Sequence, residues 1–478
     1  MRDPARAVFF RPRLGKTRTV VDAARELWLR DDIDALVAVA PAEARSVWAD
    51  PSPMLGEIAK WWPGDVPLPG LTEYRAKTNL SALGKGKGRQ PLVALVTNPE
   101  FVRRPDRLGP LLEWMKTRRV LLAWDESWSI SNATSQQSKA AAVLGTAAVR
   151  RAVLNGTPGT MAQAYGQYRL LDPTLFGVKN WWAYRARFCR LGGYMQKEIV
   201  GYQNEDLFQR LTAPLTTYLK REDVFEDLPP SRIQIEVPLT PPTWRLYQEM
   251  KRDLIAWLSA NESAVAAHAG AKVMRLAQIT SGIVGGVELS PQGDVLEIPE
   301  ARSTEKIIGR EKIDGLLGWL SQEGMPDKLV VFARFKPDVA RLAVTLAEAY
   351  PAHWVGRMYS DASKDEKRRL KELFVADGDP AKAIAVVNAQ SGGAGLSLAQ
   401  SNLAVFMGHE YSQRLRDQAE QRIADHQQLT YLDILATGPK GERTVDHLIL
   451  AAQRGQEETA SWTAAMWRDR LTADDPIL

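Results

Sequence analysis

Residues 9–17 run Phe9-Phe10-Arg11-Pro12-Arg13-Leu14-Gly15-Lys16-Thr17 and follow a short apolar run, while a helical pattern occupies residues 20–27. A loop that ends in Gly-Lys-Thr between a strand and a helix places backbone N–H groups around a polyphosphate. In such a loop, Lys16 contacts the β- and γ-phosphates and Thr17 contacts Mg²⁺. Phe10 occupies the position of the first glycine in the phosphate-loop pattern, so a chance Gly-Lys-Thr turn stays open as an alternative.

Length and composition indicate a multidomain globular protein. The 478 residues suit two or three domains, and 45% apolar and 25% charged residues are ordinary values. We expect no membrane span, because no apolar run approaches ~20 residues. We also expect no cleaved signal peptide, because the short apolar patch near the N-terminus leads directly into the phosphate loop. The single cysteine, Cys189, excludes an internal disulfide and a cysteine metal site, which suits a reducing cytoplasm. The net charge of +5 permits nucleic-acid binding.

A second candidate site element follows the apolar segment 119–124, which predicts a buried strand and ends directly in Asp125-Glu126. In a nucleotide hydrolase with this arrangement, Asp125 holds Mg²⁺ and Glu126 polarises the attacking water. A plain solvated pair of charges is the alternative, and the pairing with Gly-Lys-Thr favours the hydrolytic interpretation.

Strand and helix patterns alternate in both halves of the chain, which predicts an α/β fold with parallel sheets. We expect one lobe over residues 1–200, a mainly helical connector over 201–300, and a second lobe with a C-terminal helix over 301–478. Only the first lobe has a Gly-Lys-Thr loop. This pattern favours a nucleotide held between the two lobes, with the second lobe supplying a cation. The predicted strands lie at 34–41, 91–98, 119–124, 152–154, 328–335, 383–388 and 403–407.

Seven segments resemble, in order, the motifs of Swi/Snf-type superfamily-2 helicase-like ATPases, in the compact form common in bacteriophages. Most of the chain takes part in the resemblance, from about Val8 to about Leu450. The matching segments are Arg13–Thr17, Val39–Pro41, Asp125–Asn132, Leu154–Pro158, Tyr168–Pro173, Ser391–Leu398 and Gln418–Arg422, with a family-like connector at Leu219–Val224 and Asp227–Pro229.

The resemblance implies two RecA-like lobes that bind ATP and Mg²⁺ at their cleft and close on it while tracking along double-stranded DNA. It makes Lys16, Thr17, Asp125, Glu126 and Arg422 catalytic, with Thr17 and Asp125 holding Mg²⁺ indirectly. The implied ATP-binding residues are Arg13, Leu14, Gly15, Lys16, Thr17, Gly393, Gly395, Gln418 and Arg422. The spacing of Gln418 and Arg422 predicts that both lie on one helix face, and a solvated helix face is the alternative.

The resemblance also implies DNA contacts that grip phosphates without reading bases. The matching positions are Thr97, Asn98, Thr157, Arg334, Ser391 and Gly392. Arg334 has a structural ion pair as an equal alternative. A second basic feature, the loop Gly84–Arg89, favours a solvated surface over a phosphate contact. Phage or host replication and recombination proteins are the implied partners, and the segment Thr444 to Leu471 predicts a helix that packs on the second lobe.

Several positions depart from the family pattern. Asp425 stands where the family has a second arginine, and an acid near the γ-phosphate repels the nucleotide. Arg414, one turn before Gln418, is a candidate replacement. Ser131 replaces a usual lysine, and Tyr411-Ser412-Gln413 replaces Trp-Asn-Pro. The adenine-recognising segment is not found in the nine residues before Phe10, so we expect either a shortened start or adenine held by packing alone.

Two functions of different kinds follow from these observations. One is an ATP-dependent translocase or remodeller on double-stranded DNA, and the other is a degenerate ATPase that binds nucleotide and DNA as a scaffold with little turnover. A P-loop kinase does not fit the length of the chain or the glycine-rich and Gln-x-x-x-Arg stretches of its second half.

Overall fold

A computed structural model gives the fold of the chain. It describes residues 4–11, 13–42, 44–84, 90–156, 158–192, 198–225, 230–260, 266–284, 288–289, 295–296, 306–359, 362–375, 379–388, 398–409, 412–423, 428–455, 462 and 464–473. Only the backbone is described at 221, 266–269, 271, 288–289, 295–296, 364, 414 and 464. The chain forms two compact units, Met1–Asp227 and Leu228–Leu478.

The first unit is a parallel sheet with helices on both faces. Its elements are β1 (Ala5–Phe10), α1 (Lys16–Leu29), β2 (Ala35–Val39), α2 (Arg45–Ala49), α3 (Glu57–Trp61), β3 (Gly70–Glu73), β4 (Val93–Thr97), α4 (Pro99–Val102), α5 (Pro105–Lys116), β5 (Val120–Trp124), α6 (Gln136–Ala147), β6 (Arg150–Asn155), α7 (Met161–Leu171), α8 (Trp181–Phe188), β7 (Cys189–Gly192), β8 (Glu198–Tyr202), α9 (Glu205–Thr212) and β9 (Thr216–Leu219). Short 3-10 helices lie at Leu80–Ala82, Ser127–Ile130, Ala213–Leu215 and Arg221–Asp223.

Seven strands form the large sheet of this unit in the order β3-β4-β2-β5-β6-β1-β9, and every neighbouring pair is parallel. Alternate side chains of β2 enter two different hydrophobic clusters, with Val37 and Val39 in one and Leu36 and Ala38 in the other. The strand is therefore buried on both faces, as its uninterrupted apolar sequence predicts. The remaining strands, β7 and β8, form an antiparallel hairpin whose Cys189 is buried.

The second unit has the same kind of architecture. Its elements are β10 (Ser231–Pro238), α10 (Pro241–Ala260), α11 (Ala266–Thr280), β11 (Ile283–Val284), β12 (Glu288–Leu289), β13 (Val295–Leu296), β14 (Lys306–Ile307), α12 (Glu311–Glu323), β15 (Lys328–Ala333), α13 (Lys336–Ala349), β16 (Trp354–Met358), α14 (Lys364–Phe374), β17 (Ala383–Asn388), β18 (Leu403–Phe406), α15 (Gln413–Glu420), β19 (Thr430–Thr437), α16 (Val445–Arg454) and α17 (Ala464–Ala473).

Six strands of this unit form a parallel sheet in the order β10-β19-β18-β15-β17-β16. The β11–β14 and β12–β13 pairs are small antiparallel sheets. The prediction of an α/β fold with two parallel-sheet lobes is therefore confirmed.

The segment that we expected to connect the lobes is shared between the two units. Strand β9 pairs with β1 in the first sheet, whereas β10 pairs with β19 in the second. Between residues 201 and 300 the chain thus contains strands of both sheets as well as the expected helices. Strand β10 is an edge strand whose side chains alternate between exposed and half-buried, so its sequence lacks the apolar run that marked the central strands.

The C-terminal segment forms two helices, α16 and α17, rather than the single helix that we expected. Trp462 and Trp467 are 2% and 0% exposed, and their rings meet edge to face at 4.7 Å between centroids. Both belong to a hydrophobic cluster of the second unit. The same cluster contains Leu254 of α10 and Val273 of α11, so the segment packs on helices that we expected in the connector between the lobes. None of the described helices combines the length and apolarity that crossing a membrane requires.

Candidate nucleotide-binding site

Gly15 ends the turn that connects β1 to α1, and Lys16 and Thr17 are the first two residues of that helix. Gly15 has φ of 80°, a left-handed conformation that costs other residues roughly 1 kcal/mol or more. A Cβ built on Gly15 meets no atom within 4 Å, so the space in front of the helix is open. No described side chain caps this helix, and the uncapped N–H groups at the start of a helix are a common site for anion binding.

The Lys16 ammonium lies between the turn and the acidic pair. Its Nζ donates a 3.0 Å hydrogen bond to the carbonyl oxygen of Phe10, where β1 ends. Burial lowers the pKa of Lys16, while the negative charges of Glu126 and Asp125 act in the opposite direction. The fold thus brings Lys16 and the Asp125-Glu126 pair, which are far apart in the sequence, within electrostatic reach of each other.

Asp125 and Glu126 follow β5 at the same edge of the sheet as the end of β1, because the strands between them are parallel. The Asp125 N–H donates to the carbonyl oxygen of Val39 at 2.8 Å, which ties the end of β5 to β2. Glu126 has φ of 46° and ψ of 57°, a left-handed conformation, directly before the 3-10 helix Ser127–Ile130. Such strained positions concentrate at functional sites.

The Asp125 carboxylate accepts one described hydrogen bond on each oxygen. The Glu126 N–H donates to Oδ1 at 2.9 Å, and the indole N–H of Trp48 donates to Oδ2 at 3.0 Å. Burial raises the pKa of Asp125, opposed by the hydrogen bond from Trp48, the charge of Lys16 and the Glu126 N–H. Trp48 was not predicted as a site residue, because a tryptophan eight residues after Ala40 gives no local sign of a contact with Asp125.

Two buried polar side chains connect the acidic pair to the turn that follows β6. The Ser127 hydroxyl donates a 2.7 Å hydrogen bond to Oε1 of Gln167, and Nε2 of Gln167 donates to the carbonyl oxygen of Pro158 at 2.9 Å. Ser127 and Gln167 are both 0% exposed. Gln167 was not predicted either, because its position within α7 gives no sign of a polar role.

Thr97 and Asn98, which we expected to contact DNA, lie where β4 ends. Their side chains are buried at 0% and 7% exposure. Nδ2 of Asn98 donates to Oε2 of Glu100 at 2.8 Å. The DNA contact of these two residues stays a prediction, and as placed both offer little accessible surface.

Gln418 and Arg422 lie in the second unit. The prediction that both lie on one face of a helix is wrong. Helix α15 ends at Glu420, so Gln418 is helical and Arg422 is not. The Arg422 N–H donates to the carbonyl oxygen of Ala419 in a tight turn, and the Arg422 carbonyl accepts from the N–H of Leu398. Both backbone groups of Arg422 are therefore used in contacts outside the helix.

Arg334, a second predicted DNA contact, is 7% exposed. Its Nη1 donates a 2.8 Å hydrogen bond to the carbonyl oxygen of His409, and Nδ2 of Asn388 donates to the Arg334 carbonyl at 2.7 Å. Arg334 thus contacts backbone groups, and its guanidinium lies over the adjacent Phe335 ring. Its role in DNA binding stays a prediction.

A buried charged network anchors α15. Arg416 donates to Asp433 at 2.6 Å and to Glu420 at 2.7 Å, and its guanidinium lies 3.4 Å from the centroid of the Phe406 ring. Arg232 makes two further hydrogen bonds to Glu420, both at 2.7 Å. The helix that carries Gln418 is therefore fixed to β19 and β10 through charged groups.

Several predicted positions lie outside the described residues. These are Thr157, Ser391, Gly392, Gly393, Gly395, Tyr411, Asp425 and the loop segment 85–89, together with the side chain of Arg414.

The residues at the start of α1 fit a nucleotide with its metal. An open space before a helix N-terminus, a half-buried lysine and a half-buried aspartate match the charges of a polyphosphate and of Mg²⁺. Within the described part of the chain, no cluster of three or more His, Cys, Asp and Glu side chains forms a metal site. Mg²⁺ is commonly bound by one or two carboxylates together with substrate phosphates, so a site with a single aspartate suits it.

Comparison with known proteins gives matches among solved structures. No family model matches the chain, and no curated protein matches it. Among solved structures, it is similar to the Sulfolobus solfataricus SWI2/SNF2 ATPase core in complex with double-stranded DNA, with 16% identity, 99% of this chain and 93% of that chain covered, and a TM-score of 0.39. The core domain from the same organism matches at 17% identity, 96% and 87% coverage, and a TM-score of 0.37. Because both TM-scores are below 0.5, we draw nothing about function from them.

Proposed function

We propose that this chain is an ATPase of the Swi/Snf-type helicase superfamily, which binds ATP with Mg²⁺, hydrolyses it when bound to double-stranded DNA, and translocates along the duplex. One observation carries the proposal. Lys16, at the start of α1, lies within electrostatic reach of Asp125 and Glu126 at the end of β5. These residue types at the carboxyl edge of a parallel sheet are those that phosphoryl transfer to water requires.

Each residue of the first unit has a distinct role in this proposal. The α1 N–H groups and Lys16 bind the phosphates, which are held by electrostatic attraction and hydrogen bonds. Thr17 and Asp125 hold Mg²⁺, directly or through water. Glu126 orients and polarises the attacking water from its strained position beside Asp125. When bound, Mg²⁺ neutralises charge on the phosphate oxygens.

The second unit supplies the other half of the proposed reaction, from the motif resemblance alone. Gln418 and Arg422 contact the phosphates, and Gly393 and Gly395 lie beside the nucleotide. Since Arg422 lies in a turn that begins after the anchored helix α15, its reach is set by that turn rather than by a helix face. A guanidinium that arrives only on closure would couple hydrolysis to motion.

Steady-state ATP hydrolysis, measured with and without duplex DNA, tests the proposal. We expect activity that DNA stimulates in the native chain and that Glu126→Gln abolishes, because the water then lacks its polarising carboxylate. Glu113→Gln is the matched control, since it is the same substitution on an exposed residue of the same unit that is paired with Lys116 and has no proposed role. A native chain that never exceeds the Glu126→Gln background would exclude an ATPase.

Asp425 favours the second candidate, a nucleotide- and DNA-binding scaffold with little turnover. An acid where the family has an arginine removes a group that is worth roughly 10³-fold or more in rate. If the chain is a slow motor, Asp425→Arg raises the rate of hydrolysis. If it is a scaffold, ATP and DNA still bind but neither the native chain nor the variant turns over.

The DNA interaction has its own test, because phosphate-dominated binding weakens steeply with salt. We expect the logarithm of the affinity for duplex DNA to fall linearly with the logarithm of the salt concentration and to depend little on base sequence. An affinity that does not change with salt would contradict both candidates.

A further inference from the structure

Trp48 makes an unusual contact for a tryptophan of a hydrophobic core. Its side chain is 1% exposed, and its indole N–H donates to Oδ2 of Asp125 at 3.0 Å. Buried indole N–H groups need an acceptor, and a backbone carbonyl is sufficient for that. Here the acceptor is instead the carboxylate that we propose to hold Mg²⁺.

Two other tryptophans of the same hydrophobic cluster give the comparison. The indole of Trp28 donates to the carbonyl oxygen of Gln90 at 3.3 Å, and that of Trp62 donates to the carbonyl oxygen of Pro67 at 2.9 Å. Both acceptors are neutral. A hydrogen bond to an ionised carboxylate is roughly twice as strong, so the Trp48 contact restrains its partner more than these two do.

The segment around Trp48 holds the indole in place. Trp48 lies on α2, and its N–H donates to the carbonyl oxygen of Ala44 at 3.1 Å. Just after the helix, the backbone at Gly56 packs closely against the backbone at Asp50, since a Cβ built on Gly56 would lie 1.8 Å from the Asp50 carbonyl oxygen. The indole therefore reaches Asp125 from a short, tightly packed segment rather than from a free loop.

We propose that Trp48 is a positioning residue for the metal site, whose indole N–H fixes the orientation of the Asp125 carboxylate toward bound Mg²⁺. This inference rests on the proposed function. An ionised carboxylate has about four acceptor positions. The described bonds from Trp48 and from the Glu126 N–H take one on each oxygen, so the plane of the carboxylate is fixed and the remaining positions are left for a metal or its waters.

The test measures the binding of a fluorescent ADP analogue, with Mg²⁺ and with EDTA, to the full chain. In Trp48→Phe we expect the tightening by Mg²⁺ to fall about tenfold, the size of effect that losing a hydrogen bond to a charged group gives. Binding in EDTA stays within about twofold, because Lys16 and the phosphate loop keep their own contacts. Trp28→Phe, the same substitution in the same cluster, keeps both affinities.

A hydrolysis assay gives a second readout. The Mg²⁺ concentration for half-maximal rate rises about tenfold in Trp48→Phe, while the KM for ATP at saturating Mg²⁺ changes little. In an Asp125→Asn background, Trp48→Phe has no further effect on the tightening by Mg²⁺, because the carboxylate that it positions is gone.

The outcomes separate the inference from the proposed function. If the native chain binds no ADP analogue with Mg²⁺, the proposed function fails. If the native chain binds and Trp48→Phe keeps the full tightening by Mg²⁺, the positioning role is wrong. If Trp48→Phe melts far below Trp28→Phe, Trp48→benzothienylalanine decides the matter, since it keeps the ring shape and replaces only the N–H, and an unchanged Mg²⁺ effect in that variant overturns the inference.

Discussion

Arg416 and Asp433 form an ion pair at 2.6 Å in the interior of the second unit, where their side chains are 6% and 0% exposed. Asp433 lies in the middle of the buried strand β19, and Arg416 reaches it from α15. Arg416 also bonds Glu420, and Nη2 of Arg454 lies 3.8 Å from the second carboxylate oxygen of Asp433. Breaking such a pair leaves a buried charge without its partner.

We expect Arg416→Met to lower the free energy of unfolding of the second unit by about 3–5 kcal/mol. The long apolar side chain keeps much of the packing on Phe406 but leaves Asp433 with only the more distant, half-exposed Arg454. Arg416→Lys keeps the charge and loses the two-pronged geometry, so its effect should be intermediate. Urea unfolding, with hydrogen exchange of β19 and α15 to locate the change, measures these effects.

An exposed pair serves as the control for this prediction. Arg310 and Asp314 lie 2.8 Å apart with side chains 59% and 55% exposed. Because solvent screens such pairs, Arg310→Met should cost less than about 1 kcal/mol. The double variant Arg416→Met with Asp433→Leu should regain part of the loss, and equal effects of Arg416→Met and Arg310→Met would contradict the importance of burial.

The strand that carries Asp433 shows where sequence reasoning stops. Central strands such as β2, β5 and β17 were predictable because every residue in them is buried and apolar or nearly so. We predicted no strand at β19, which has a charged residue at its centre. That aspartate is compatible with a buried strand only because a residue of α15 pairs with it, and this pairing is a property of the fold.

The residues of the candidate site likewise fall into those that the sequence predicts and those that only the fold reveals. Lys16, Asp125 and Glu126 were predictable because the types and local spacing of these residues carry the chemistry. Trp48 and Gln167 were not, since their partners Asp125 and Ser127 lie 77 and 40 residues away along the chain. A buried tryptophan or glutamine gives no local sign of which acceptor it will meet, so only the strand order of the sheet reveals these contacts.

Gln167 allows a test of the link between the acidic pair and the turn after β6. Gln167→Leu removes the partners of the Ser127 hydroxyl and of the Pro158 carbonyl, both of which lie in or near the core. Each buried polar group left without a partner costs about 1–3 kcal/mol. We therefore expect the free energy of unfolding of the first unit to fall by about 2–4 kcal/mol, as measured by urea unfolding.

A double-variant cycle isolates the Ser127 hydrogen bond. Adding Ser127→Ala to Gln167→Leu should cost less than Ser127→Ala does alone, because the hydroxyl has already lost its acceptor. Gln163→Leu, on the same helix, is the matched substitution outside the pair, and its cycle with Ser127→Ala should be additive. Additivity in both cycles would show that the hydrogen bond contributes nothing.

Gly15 offers a test of backbone conformation separate from packing. A Cβ at this position meets no atom within 4 Å, so Gly15→Ala changes only the cost of the left-handed conformation at φ of 80°. We expect a loss of about 1 kcal/mol in the stability of the first unit and weaker nucleotide binding, because the turn before α1 shifts.

Gly318 is the matched glycine for this substitution. It lies on α12 with equally open space around a built Cβ, but in helical conformation. Gly318→Ala should therefore stabilise the second unit by about 0.5–1 kcal/mol. Thermal unfolding of the two variants gives opposite signs, and a loss of stability in both would show that space rather than conformation limits these positions.

His409 gives a prediction about pH. It is fully buried, and Nδ1 lies 3.9 Å from Oδ1 of Asp433. Burial lowers its pKa from 6.5 to about 4, opposed by the carboxylates of Asp433 and Asp446 and reinforced by the charges of Lys312 and Arg416. The imidazole is therefore neutral in the folded chain at neutral pH.

Between pH 6.5 and about 4, the unfolded chain binds a proton at His409 that the folded chain does not. Stability contributed by the neutral imidazole is thus fully present above pH 6.5 and falls as the pH decreases through this window, by up to about 3 kcal/mol.

Urea unfolding of the native chain at pH 7, 6, 5 and 4.5 should show that decline, and His409→Gln should make it shallower because no imidazole titrates at this position. His353→Gln, the same substitution elsewhere in the second unit, controls for the loss of a histidine. Equal slopes for the native chain and His409→Gln would mean that other groups cause the acid sensitivity.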